Sequence, residues 1–120
     1  DKALEEIIKS DKPSLVSVCS VESHHPSFLF KIEDNGVLSP YEKNSNIVTR
    51  RQDLTPLFYL DGNIYISRIE TYLEKRSFYH EDTLGFRMPR WKAIEIDDHV
   101  DLVCAEAIMK NKEKLNGLSN

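Results

Sequence analysis

The 120-residue chain sets 16 Lys and Arg against 20 Asp and Glu, for a net charge of −4 and a pI near 5.5, so it offers no basic stripe to a nucleic-acid backbone. Hydrophobic residues make up 40% and charged residues 30%, with 4 Gly; that is the composition of one ordinary globular domain at most. No apolar run is long enough for a membrane span, the start lacks the pattern of a secretory leader, and Cys19 and Cys104 read as small core residues of a cytoplasmic protein.

Leu4, Ile7 and Ile8 have helical spacing, which predicts a helix over 2–9 that stops before Pro13. Such a helix is too short to stand alone, and a chain opening on it reads as one entered partway through. Leu15 to Val21 is β-branched and apolar on both faces, the signature of a central strand covered by helices. Helix followed by buried strand is the rhythm of an α/β fold. His24 and His25 are adjacent, so on an extended chain they point apart, and with no partner at zinc spacing they read as surface residues.

Phe28 to Ile32 predicts a second strand, and Glu33-Asp-Asn-Gly36 a turn. The excursion from here to about Arg51 has too few apolar residues for its own core. Phe28, Leu29, Phe30 and Val37 would be covered by a second subunit or by the parent sheet. Arg50 and Arg51 form either a solvated surface or an anion clamp, since guanidinium forks match carboxylate and phosphate oxygens in pairs.

Asp61-Gly62 marks a bend or a close backbone approach, followed by a strand over 64–66. Ser67 and Glu70 have capping-box spacing, predicting a helix to about Lys75 with Ile69, Tyr72 and Leu73 buried. Thr83 to Met88 is a further strand. Lys92 to Ile96 reads as a short buried strand with Ala93, Glu95 and Asp97 on one face. Two converging carboxylates at a strand end suit Mg²⁺ carrying nucleotide phosphates. Spacing alone favours a charged strand end that caps a helix and holds no metal. Asp98 and Asp101 then start a helix running to about Lys112, with Val100, Val103, Ala107 and Ile108 on one face and Glu106–Lys110 as an exposed pair. The tail from Leu115 is expected to fray.

Taken in order, Arg51-Gln52-x-Leu54, Asp61-Gly62-x-Ile64-Tyr65-Ile66, Phe78-Tyr79, Met88-Pro89 and Ile94-Glu95-Ile96-Asp97-Asp98-x-x-Asp101 resemble the acylneuraminate cytidylyltransferases, the CMP-sialic acid synthetases and their legionaminic and pseudaminic acid relatives. The resemblance covers essentially the whole chain as the C-terminal half of such an enzyme. It implies a nucleotide-diphospho-sugar transferase fold: a mixed α/β sheet flanked by helices, with residues 28–51 as a small β dimerisation excursion and a homodimer as the assembly. It also implies transfer of CMP from CTP to the anomeric hydroxyl of a nine-carbon 2-keto acid, with pyrophosphate released. Glu95 and Asp97 match the Mg²⁺ pair, with Glu where the family has Asp, and Asp97 and Arg51 carry the catalytic role. Arg51, Gln52, Asp61, Tyr65, Phe78 and Tyr79 line the substrate, Asp61 standing where the family often has Asn. Gly36, Gly62, Gly85 and Gly117 are isolated and build no phosphate cradle. The nucleotide loop is therefore expected in an N-terminal half that is absent here, and the chain alone is expected to be inactive. The competing expectation is a non-catalytic module that binds a sugar acid or mediates dimerisation.

Overall fold

A computed structural model describes residues 2–21, 24–41 and 54–118. The chain divides into two compact units, Asp1–Cys19 with Tyr59–Asn120, and Ser20–Phe58.

The larger unit is α/β. Helix α1 spans Lys2–Ser10, and strand β1 spans Ser14–Ser20. Between them Asp11 takes a left-handed φ of 53°, which turns the chain ahead of Pro13. Strand β4 (Phe58–Ser67) and strand β5 (Thr83–Arg87) flank β1 in the order β4-β1-β5. β1 and β5 are parallel, with Ser14 opposite Thr83 and Val18 opposite Arg87. β4 runs the other way: Arg68 N–H donates to Pro13 O, and Ser14 and Ser67 share a side-chain hydrogen bond at 2.9 Å. The sheet is mixed, and β1 is central as its two apolar faces require. Ala3, Ile7 and Leu15 form the core, joined by Ile64, Ile66, Leu84 and Phe86. The helix line that packs is therefore Ala3–Ile7, and Leu4 and Ile8 are exposed.

The remaining helices are α2 (Ile69–Lys75), α3 (His99–Lys110) and α4 (Lys112–Leu118). α2 is capped by Arg68 and no side-chain bond, so the Ser67–Glu70 box does not form. Ser67 Oγ instead donates to the Arg68 carbonyl. Ile69 and Leu73, expected inside, are exposed, as are Val100 and Val103 on α3 and the thiol-bearing Cys104. α4 continues where fraying was expected, because Asn111 ends α3 and its carbonyl accepts from Leu115 N–H. The Glu106–Lys110 pair is present at 3.9 Å.

In the smaller unit, a 3₁₀ turn over Pro26–Phe28 precedes an antiparallel hairpin of β2 (Phe30–Ile32) and β3 (Leu38–Pro40). Its turn is the one expected: Gly36 N–H donates to Glu33 O, and Gly36 adopts a φ of 80°. His25 is buried rather than on the surface. Its Nδ1 accepts from Ser27 N–H, leaving Nε2–H to donate to Thr55 O at 3.2 Å.

Candidate active site

β4 is one continuous ten-residue strand, but it is deformed at Asp61-Gly62. Gly62 has a φ of 72°, a conformation open to glycine and strained for other residues. Ser17 on β1 holds the deformation from the side. Its hydroxyl donates to Asp61 Oδ1 and accepts from Ile64 N–H at 2.8 Å, so a side chain serves where a straight ladder would place a carbonyl. Asn63 N–H donates to the same Asp61 oxygen, and Asn63 Nδ2 donates to Asp61 O. Asp61, expected at the substrate, is fully buried, and among the described residues its Oδ2 has no hydrogen-bond partner.

The acidic segment meets this deformation. Pro89 is followed by a 3₁₀ turn over Arg90–Lys92, closed by Ala93 N–H on Arg90 O, and residues 93–97 belong to no strand. The strand expected over Lys92–Ile96 is not formed, because among the described residues no ladder takes up its backbone. Two anchors hold the segment instead: Ala93 is buried, and Asn63 Nδ2 reaches Lys92 O at 3.4 Å. Glu95 lays its carboxylate against the Gly62 backbone. A Cβ placed on residue 62 would overlap Glu95 Oε1 and stand 3.4 Å from its Cδ. The close approach suggested by Asp61-Gly62 is thus made by Glu95.

Asp97 lies at the mouth of α3. Asp98 caps the helix through Val100 N–H and Asp101 N–H, while Asp101 accepts from the Asp97 and Asp98 backbone N–H groups. This reciprocal box fixes the backbone at Asp97. Ile96, Asp97, Asp98, His99 and Leu102 line an open hollow of about 440 Å³. Both Glu95 and Asp97 are exposed. Among the described residues no three His, Cys, Asp or Glu side chains gather as a protein-built metal cage. Mg²⁺ needs only one or two carboxylates when phosphates and water complete its shell, and these two hard oxygen donors fit that requirement.

Three residues along β4 from Gly62, Tyr65 belongs to a ring cluster completed by Phe78 and by Tyr72 of α2. Tyr65 and Phe78 have centroids 5.5 Å apart, and Phe78 and Tyr72 4.7 Å apart, in tilted contacts. Tyr72, whose spacing on α2 had suggested core, joins Tyr65 and Phe78, two of the rings that the resemblance puts at the substrate. Tyr79 is more exposed than Tyr65, and its backbone is held by Ser77 Oγ. Arg51 and Gln52 lie outside the described residues. Tyr59, at the other side of Asp61, has its phenol pushed above its usual range by burial first, then by a hydrogen bond with Cys19 and by the charges of Asp61 and Glu95.

No protein-family model matches the chain. It is 33% identical over 102 residues to an N-acylneuraminate cytidylyltransferase of Streptococcus agalactiae serotype V, covering 85% of this chain and 24% of that protein. It is 31% identical over 112 residues to the CMP-N,N'-diacetyllegionaminic acid synthase of Legionella pneumophila, covering 92% of this chain and 47% of the synthase. A Helicobacter pylori protein named as a pseudaminic acid cytidylyltransferase and sugar-nucleotide hydrolase is 28% identical over 80% of the chain. The chain is homologous to the acylneuraminate cytidylyltransferases. It spans about a quarter of the streptococcal relatives and about half of the legionaminic acid synthase.

Proposed function

We propose that the protein is part of a cytidylyltransferase that joins CMP from CTP to the anomeric hydroxyl of a sialic-acid-like nine-carbon 2-keto acid. The observation that carries this reading is the similarity, over 80–92% of the chain, to cytidylyltransferases acting on three such acids by name. In the reaction the sugar oxygen forms a bond to the α-phosphorus of CTP, the α–β phosphoanhydride bond breaks, and pyrophosphate departs with the electron pair. The hydroxyl proton passes to a base or to solvent. Such chemistry depends chiefly on positioning and on neutralising phosphate charge.

Glu95 and Asp97 are the residues that would hold Mg²⁺, whose bound charge would offset that of the phosphates. Glu95 has its carboxylate beside Gly62, and the backbone at Asp97 is held by Asp101 of the capping box. The rings of Tyr65, Phe78 and Tyr72 offer an apolar wall to the N-acyl substituents of the sugar. Arg51, with Gln52, is assigned to the sugar carboxylate or to phosphate. The nucleotide loop is assigned to the part of the protein outside this chain, so the chain alone is inactive. A homodimer completes the assembly through the excursion at 28–51.

The test is Asp97→Asn in the full-length protein, with formation of the CMP-sugar followed from CTP and each candidate acid. Turnover is expected to fall by at least a hundredfold with the melting temperature little changed, since Asp97 is exposed and a solvated carboxylate contributes little to stability. Undiminished turnover at saturating Mg²⁺ would remove Asp97 from the reaction.

A further inference from the structure

We infer that Gly62 is a positioning residue for Glu95: the side chain it lacks is the seat in which the Glu95 carboxylate lies. The inference rests on the metal role proposed for Glu95 and adds what sets that carboxylate's place. Glu95 is on a segment with no ladder to orient it, and its side chain has three rotatable bonds. Its carboxylate nevertheless lies against β4, in the space a Cβ at position 62 would fill. A Cβ at position 62 would meet Oε1, the far end of an exposed side chain, and so displace the carboxylate from this place; the φ of 72° is in addition one that other residues adopt only with strain.

The backbone conformation at Gly62 is imposed from below. Ser17 binds Asp61 and Ile64 on the two sides of Gly62, and Asn63 binds back to Asp61 and across to Lys92. A hydrogen-bonded network that runs from buried Ser17 and Asp61 to exposed Asn63 thus shapes the strand and anchors the segment that carries Glu95. The methylene that Glu95 has beyond an aspartate reaches sideways to β4, and the glycine receives the longer side chain, so the carboxylate gains a fixed position from the strand instead of from a short tether.

The experiment compares Gly62→Ala, Glu95→Ala and the double variant in the full-length protein. Mn²⁺ binding in the presence of CTP and without sugar, read by electron paramagnetic resonance, avoids dependence on turnover. Urea unfolding of the same four proteins records strain at position 62 separately. If the seat positions Glu95, both single variants weaken Mn²⁺ binding by about tenfold or more, and the double variant is no weaker than Glu95→Ala. The destabilisation caused by Gly62→Ala then persists in both backgrounds. If Glu95→Ala weakens Mn²⁺ binding while Gly62→Ala leaves it unchanged, or adds to it in full, the positioning role is overturned and the metal role stands. If Glu95→Ala itself leaves Mn²⁺ binding unchanged, the metal role fails and the positioning role falls with it.

Discussion

Replacing Ser17 by alanine tests whether the bulge in β4 is held by the hydroxyl or merely accommodates it. Ser17 is 2% exposed, so alanine keeps the packing and removes only the oxygen. Two hydrogen bonds disappear with it, one donated to Asp61 Oδ1 and one accepted from Ile64 N–H. Leaving a buried polar group without its partner costs about 1–3 kcal/mol. Two groups lose a partner here, but Asp61 Oδ1 keeps the bond from Asn63 N–H at 3.2 Å. The loss should therefore be near the lower half of the summed range, about 3 kcal/mol. That is a large part of the stability of a typical domain. Urea unfolding of the full-length protein should show a lower midpoint with an unchanged slope. Repeating Ser17→Ala in an Asp61→Ala background separates the two bonds, because the cost that survives there belongs to Ile64. A destabilisation below about 0.5 kcal/mol for Ser17→Ala would refute the reasoning, placing the origin of the bulge in Gly62 alone.

Three further outcomes follow from single residues. Asp98→Ala removes the acceptor for Val100 and Asp101 N–H and should cost about 1 kcal/mol; an unchanged melting temperature would mean that Asp101 alone caps α3. Tyr59 should ionise above the usual tyrosine value near 10, seen by absorbance at 295 nm as one late phenol that Tyr59→Phe removes. A raised pKa means the neutral phenol is the form the fold prefers. Its contribution is therefore complete below the usual tyrosine range and lost as pH rises through the higher value, so Tyr59→Phe should flatten the alkaline fall in stability. Phe30→Asp should raise the dissociation constant of a dimer at least tenfold if the exposed face of the β2–β3 hairpin is a subunit contact; light scattering across micromolar concentrations that matches the parent protein would count against it.

What the sequence made legible followed from local rules. Leu15 to Val21 could only be a covered strand, and Asp98 with Asp101 could only open a helix, because each signal is written in a few adjacent residues. Glu33 to Gly36 closed a hairpin for the same reason. The failures share a different cause. Ile69, Leu73, Val100 and Val103 have the spacing of a buried stripe, yet periodicity records that a face is apolar and not what covers it. His25 and Ser67 were misjudged because their partners, Thr55 and Ser14, lie tens of residues away. Lys92 to Ile96 has the composition of a strand, but a strand also requires a neighbour.

The site follows the same division. Glu95, Asp97, Tyr65 and Phe78 were visible as residue types in a recognisable order, whereas Ser17 was one hydroxyl inside an apolar run. Only the register of β1 against β4 puts that hydroxyl beside Asp61. Asp61 shows why this matters for function. Its carboxyl was expected at the substrate; it is buried, and among the described residues its Oδ2 has no hydrogen-bond partner. A buried acceptor left without a donor is costly, so the conformation at Asp61-Gly62 has to be stabilised by its surroundings. Ser17, Asn63 and the close lie of Glu95 on Gly62 are those surroundings. The sheet interior thereby reaches the acidic segment through one strand, and changes at Ser17 or Asp61 should register at Glu95.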